Sequence, residues 1–319
     1  MPAIKKLERM KRSRKLLITS ALLTLLAGMF AMLVYESSLI TRQYFSAPDA
    51  SFQSWEEILS SPQFITIRSY STGSMHTPLS KIMNLEHENA VDIEERMLDL
   101  PVIACIMHHK NFGHYLIDAG LDASYVNNPY GTVKGMIVEK MQSSGSQEPN
   151  THISAILERQ NIQLQGVWLT HLHPDHVAGV VDLPKDIPYV VGENERYLNF
   201  RFFLKGDHLA GVNPLYEIDF AKGVDLPPFG KCVDLLGDGS FWAIESSGHS
   251  SGHVMYFING VKEKVLVTGD ACNFQYQFDV GVGSGDYSMD LEKGQEIMEA
   301  IIEFKKRYPE IKLVYGHEL

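Results

Sequence analysis

The chain of 319 residues is poor in cysteine and in clustered basic charge, and both shortages narrow what it can be. Its three cysteines, Cys105, Cys232 and Cys272, are an odd number without paired spacing. That excludes a disulfide framework and predicts three buried small hydrophobes. Beyond residue 15 the one run of Lys and Arg is Lys305-Lys306-Arg307. The basic patch that phosphate backbones need is absent, which argues against nucleic acid as a partner. Internal repeats are missing too, and so is any long apolar run except one.

That run follows a basic arm. Residues 1–15 carry Lys5, Lys6, Arg9, Lys11, Arg12, Arg14 and Lys15 against Glu8, a net of +6, and Leu16 to Tyr35 then passes without a charge. A helix of that length spans about 30 Å, the thickness of a bilayer's hydrocarbon core. The pattern predicts a single-pass membrane anchor at 16–35. A cleaved secretory signal is the alternative, but the apolar stretch exceeds the roughly 7–15 residues of a signal core and offers no small-x-small cleavage site. The first cysteine, Cys105, lies too far away for a lipoprotein. The positive-inside rule puts the arm in the cytoplasm and the rest outside, in the periplasm or cell exterior of a bacterium. Removing the arm's +6 from the total of −11 leaves −17, an acidic body. Residues 36–63, polar and mixed, read as a stalk, and 64–319 as one catalytic domain.

The chemistry is concentrated in His171-Leu172-His173-Pro174-Asp175-His176. Three imidazoles and a carboxylate in six residues are the donors that zinc and similar divalent ions prefer. Gln165 to Thr170 reads as a strand before the cluster, and Val177 to Val181 as the start of a helix. Alternate residues of an extended segment point the same way, so His171 and His173 suit one ion while Asp175 and His176 turn toward a second. Three further apolar runs end in Gly248-His249, Gly269-Asp270 and Gly316-His317, each glycine allowing a tight turn. A helix is predicted from Asp290 to Tyr308, with Ile297, Ile301 and Phe304 on one face and Pro309 as the stop. Among the other histidines, His108, His109 and His114 flank a predicted hairpin turn at Lys110 to Gly113 and read as solvated, while His76, His87, His152 and His208 carry no assigned role. Arg196 to Tyr216, with Tyr197, Leu198, Phe200, Phe202, Phe203 and Leu204, reads either as a cap over the site or as an ordinary packed helix and loop.

With these motifs in this order, the chain resembles the metallo-β-lactamase superfamily over roughly residues 64–319. The resemblance implies an α/β (α+β) fold, an αββα sandwich of two mixed sheets with helices outside, here preceded by the one transmembrane helix. It implies one ion on His171, His173 and His249, a second on Asp175, His176 and His317, and Asp270 bridging both. The ions would be two zinc ions, or Fe, Mn or Co, sharing a hydroxide that attacks an ester-like bond of a small-molecule substrate. Asp175 would pass a proton to the leaving group, so Asp175 and Asp270 are the expected catalytic residues. Asp118-Ala119-Gly120 resembles the family's supporting Asp-Thr-Gly, and His253 would support rather than bind metal. Ser-Gly-His-Ser-Ser-Gly-His at 247–253 and the early end after His317 are similar to the N-acyl homoserine lactonase branch, which implies lactone opening. That branch has a tyrosine three residues past the bridging aspartate; Asn273 stands there, with Tyr276 as a possible replacement, and Cys272 beside them. The alternatives are a thioesterase or phosphodiesterase of the same fold, a mononuclear-iron sulfur dioxygenase-like enzyme, and a non-catalytic membrane-anchored binding protein.

Overall fold

The computed structural model describes residues 2–37, 40–135, 138–197 and 204–319, with side chains of the first helix described from 10 to 31. That helix, Pro2–Ser37, holds the apolar span Met10–Ala31, none of it buried against the rest of the chain.

The remainder is an αββα sandwich. Among the described residues one sheet has eight strands, in spatial order Arg42–Tyr44, Leu215–Ile218, Tyr189–Gly192, Leu164–Trp168, Gly113–Ile117, Met97–His109, Ile65–Pro78 and Ser144–Ser146. The first five run parallel; the last three are added antiparallel. A second has six, Val224–Asp225, Lys231–Asp234, Phe241–Glu245, Val254–Asn259, Lys264–Gly269 and Lys312–Tyr315, antiparallel except for the last pair, and Lys134–Gly135 pairs with Leu204–Lys205 apart from both.

Period-two alternation assigns each residue of the second sheet to a layer. Phe241, Ala243, Val254, Tyr256, Val265 and Val267 face the first sheet and meet Ile103, Ile117, Trp168 and Val190. Trp242, Ile244, Met255, Phe257 and Leu266 face outward onto the helix Leu291–Arg307 through Met298, Ile301 and Phe304. Burial on both faces explains why these strands read as continuous apolar runs. The helix starts where expected: Asp290 caps it, accepting from Lys293 N–H at 3.1 Å. At its other end Lys305 Nζ donates to the carbonyls of Pro309 (2.7 Å) and Ile311 (2.6 Å). The basic triplet is a helix terminus.

Two expectations are corrected. Residues 40–63 are part of the sandwich, and no stalk: Arg42–Tyr44 is an edge strand, and the helix Trp55–Ser60 buries Trp55 and Ile58 in the outer core against Phe257 and Phe304. Short apolar anchors in a polar stretch leave no periodicity to read. The turn at 110–113 forms as predicted, and His108 is exposed, but His109 is 1% exposed. Its Nδ1 accepts from Asn111 and Phe112 N–H, and its Nε2 lies 3.0 Å from Asp238. The ring closes its own turn.

Candidate metal centre

Four loops deliver the seven predicted residues to one point. Leu164–Trp168 leads into the first cluster, whose Pro174 opens the single helical turn Pro174–Val177; a 3-10 turn follows, in place of the longer helix expected from Val177. The strands Phe241–Glu245, Lys264–Gly269 and Lys312–Tyr315 each end just before their histidine or aspartate. Gly269 turns at φ 51°, where an added Cβ would stand 2.8 Å from His253 Nε2. Glycine permits the close approach.

The donors form two groups that share one member. His249 Nε2 lies 3.2 Å from His171 Nε2 and 2.9 Å from His173 Nδ1, with Asp270 Oδ2 3.3 Å away. On the other side Asp270 Oδ1 is 3.1 Å from His176 Nε2 and 3.4 Å from His317 Nε2, and Asp175 Oδ2 is 3.4 Å from that same His317 atom. Each group, His171-His173-His249-Asp270 and Asp175-His176-Asp270-His317, brings its ligand atoms within 4.8 Å of one another. One carboxylate turns an oxygen to each.

A second layer sets which nitrogens are free. His317 Nδ1 donates to the Pro101 carbonyl at 2.9 Å, and His176 Nδ1 donates to Asp118 at 2.8 Å, so both Nε2 lone pairs face inward. Asp118, held at φ 57°, also accepts from the N–H (2.7 Å) and hydroxyl (2.9 Å) of Thr170. Ser288 Oγ lies 3.1 Å from His249 Nδ1. His253 accepts from Asp270 N–H at 3.2 Å through Nε2, which leaves its Nδ1 to donate to Ser246 Oγ at 2.8 Å. It supports the aspartate through the backbone.

Within the cluster, His176 Nε2 and Asp270 Oδ1 are buried without a hydrogen-bond partner. Orphaned polar atoms at such depth are costly unless something charged sits among them. Burial and the neighbouring imidazoles hold His171 well below the usual histidine range; burial does the same to His249, with Asp270 opposing. Burial is the largest single influence on His176 and His317 and opposes their charge, but the surrounding carboxylates together outweigh it, Asp270 with Asp118 and Asp175 for His176 and Asp270 with Asp175 for His317, and raise both. For Asp270 burial favours the neutral acid, and His176, His317 and His249 overcome it and lower it well. The donor set, nitrogen and carboxylate around a desolvated centre, suits one or two divalent ions.

Several participants were not read from the sequence. Glu195, 2% exposed, accepts from Leu172 N–H at 3.0 Å and from Ser250 Oγ (2.6 Å) and Gly252 N–H (2.8 Å), tying the first histidine loop to the second. An isolated acid in Gly-Glu-Asn-Glu gave no signal. Above the centre opens a cleft of a smaller and a larger lobe, which share His173, Pro174, Gln142 and Tyr287 in their walls. Tyr287 therefore flanks both lobes, with its hydroxyl 3.1 Å from Ser143 Oγ. Asn273 and Tyr276 do not reach the cleft: Asn273 is fully buried on Ile82 O and Gln277, and Tyr276 is 43% exposed elsewhere. Cys272 is buried and lines neither lobe, and Cys105 and Cys232 are buried as expected. Of the aromatic segment, 198–203 lies outside the described residues; Tyr197 lines the larger lobe and its hydroxyl donates to Asp207 at 2.8 Å.

Sandwich and donor pair together define a metallo-β-lactamase-type centre. A sequence model of the metallo-beta-lactamase superfamily matches residues 111–317, and the chain belongs to that superfamily. Among curated proteins it is similar to the metallo-hydrolase mfmC of Annulohypoxylon moriforme, 22% identical over 55% of this chain and 49% of that one. It is also similar to a hydroxyacylglutathione hydrolase of Prochlorococcus marinus, 25% identical over 54% of this chain and 58% of that one. The chain thus spans about half the length of these relatives. Among solved structures it resembles Bacillus thuringiensis AiiA with N-decanoyl-L-homoserine at the active site, TM-score 0.60 at 20% identity, covering 81% of this chain and 94% of that one. An N-acyl homoserine lactone hydrolase with N-hexanoyl-L-homoserine at the catalytic metal center has the same score, identity and coverage. At this identity the likeness is one of fold.

Proposed function

We propose that the protein is a dinuclear metal-dependent hydrolase of ester-like bonds, with a lactone as its substrate, held at a membrane by its first helix. The observation that carries the reading is Asp270, whose two oxygens face two separate nitrogen groups. His171, His173 and His249 would hold one ion and Asp175, His176 and His317 the other. Those residues would give the ions a place from which to supply Lewis acidity, which would acidify water and polarise a carbonyl.

The chain's own groups do the rest. Asp175 lines the smaller lobe, which supports a role for its carboxylate in carrying a proton to the departing alkoxide oxygen. Tyr287 is placed to donate its hydroxyl hydrogen to the substrate carbonyl, the task that Asn273 and Tyr276 cannot perform. Met75, Ile82 and Leu100 make the small lobe apolar, and Val133, Val138 and Leu172 do the same for the large one, which suits a substrate with an apolar tail. Lactone opening keeps both product halves in one molecule, and the neighbouring folds with acyl homoserines at their centres support that choice.

The test is metal content of the full chain in detergent, with rates on an acyl homoserine lactone, phenyl acetate, a thioester and a bis-phosphodiester. Two equivalents of metal with preference for the lactone are expected. Preference for the thioester or phosphodiester would keep the hydrolase and replace the substrate. One iron, or no metal, with no turnover of any of the four would overturn the reading.

A further inference from the structure

At one end of the domain three large apolar side chains stay in solvent: Phe64 is 65% exposed, Val261 51% and Phe112 41%. They are neighbours. Lys110 N–H donates to Phe64 O and Val261 N–H to Gln63 O, both at 2.9 Å, and the Phe112 ring lies 4.7 Å from that of His109. Lys110 Nζ stands 5.1 Å over the Phe64 ring, and Lys262 follows Val261. Adjacent exposed apolar groups mark a surface that meets something other than water.

Strand direction says which end this is. The turn at 110–113 precedes Gly113–Ile117, and the turn at 260–263 precedes Lys264–Gly269. The metal-centre residues follow the opposite ends of those same strands, as Asp118 and Asp270. The patch and the centre therefore lie at opposite edges.

The chain also enters at the patch edge. Arg42–Tyr44 runs parallel to Leu215–Ile218 and, through Tyr189–Gly192 and Leu164–Trp168, to Gly113–Ile117. Thr41 thus leads into the sheet along the edge from which Gly113 starts. The apolar span ends at Ala31, and the nine residues between it and Thr41 reach at most about 30 Å fully extended. A tether this short holds the patch edge near the surface of the bilayer that the span occupies.

We propose that this edge docks on lipid, with Phe64, Phe112 and Val261 entering the headgroup region and Lys110 and Lys262 meeting anionic headgroups. The proposal rests on the reading of the first helix, with its uncharged stretch 16–35, as an inserted anchor. Its consequence is that the metal centre opens away from the membrane and takes its substrate from the aqueous side.

The experiment uses the full chain in nanodiscs of phosphatidylcholine and phosphatidylglycerol, with and without brominated acyl chains that quench indole emission. Trp55, Trp168 and Trp242 are all at most 2% exposed, so Phe64→Trp and Phe112→Trp each add a surface probe. Val91→Trp, at a residue 79% exposed between Ile65–Pro78 and Met97–His109 on the far side, is the control. Each variant must keep the parent's melting temperature. The expected result is that the added emission at 64 and 112 is mostly lost in brominated discs while that at 91 is kept. Protein retained in the discs with no loss at 64 or 112, or with loss at 91 alone, would overturn the docking and leave the anchor standing. Protein not retained in the discs would overturn the anchor reading and the docking with it.

Discussion

Tyr287 and His208 show how differently single residues in this cleft act. Tyr287 presents a hydroxyl to both lobes, so Tyr287→Phe removes that donor together with its hydrogen bond to Ser143. The expected outcome is a kcat/KM lower by roughly ten- to a hundred-fold with metal content unchanged, from steady-state kinetics beside elemental analysis. An equal rate in the variant would remove Tyr287 from the reaction. His208 is a buried imidazole at the wall of the larger lobe, its Nε2 without a hydrogen-bond partner, and burial lowers its pKa to about 4. The unfolded chain, with an ordinary histidine near 6.5, takes up this proton first as pH falls. The stability this neutral ring confers is therefore complete above about pH 6.5 and drains away as pH falls toward about 4. Between about pH 7 and pH 5 the parent should lose about 2 kcal/mol more than His208→Leu, read from denaturant midpoints. Parallel pH curves would contradict it. The seven candidate ligands were legible in the sequence because their type and spacing are unusual; Glu195 and Tyr287 were not, because a lone acid or phenol acquires meaning only from what stands opposite it.

Among the elements, the capped helix Leu291–Arg307 and the helix Trp55–Ser60 make opposite points. The first was readable end to end, from Asp290 to the basic last turn, and its boundaries came out as predicted. Asp290→Ala should cost about 1 kcal/mol in chemical denaturation, the usual value of an N-cap. The second was hidden in a stretch that looks like linker, yet it seats an indole among Phe229, Phe257 and Phe304 at ring distances of 6.2, 5.2 and 4.8 Å. Trp55→Ala should therefore cost about 3–5 kcal/mol. A loss under about 1 kcal/mol would return residues 40–63 to the status of a tether. Strands were the easier elements, since those buried on both faces are continuous apolar runs bounded by glycine.

At the scale of the whole molecule, the centre draws on both sheets, so binding ions there links the two halves. Each ion held with free metal a hundredfold above its Kd should add about 3 kcal/mol to stability. A chelator should lower the melting temperature in calorimetry, and returning zinc should restore it; no shift on removal would mean that the donors hold nothing. Sequence alone marked the candidate donor set, because local chemistry survives being read in one dimension, and the order of its motifs carried the resemblance to the family from which the sandwich was expected; strand periodicity by itself did not show the sandwich. The sequence also marked the apolar N-terminal helix by length and charge. The tertiary structure decided which oxygen of Asp270 faces which histidines, that Tyr287 and Tyr197 reach the cleft while Tyr276 does not, and that residues 40–63 belong to the core. It alone put Phe64, Phe112 and Val261 on one edge beside the entry of the chain. Those are relations between residues separated by tens to hundreds of positions, and only packing brings such residues to within a few ångströms.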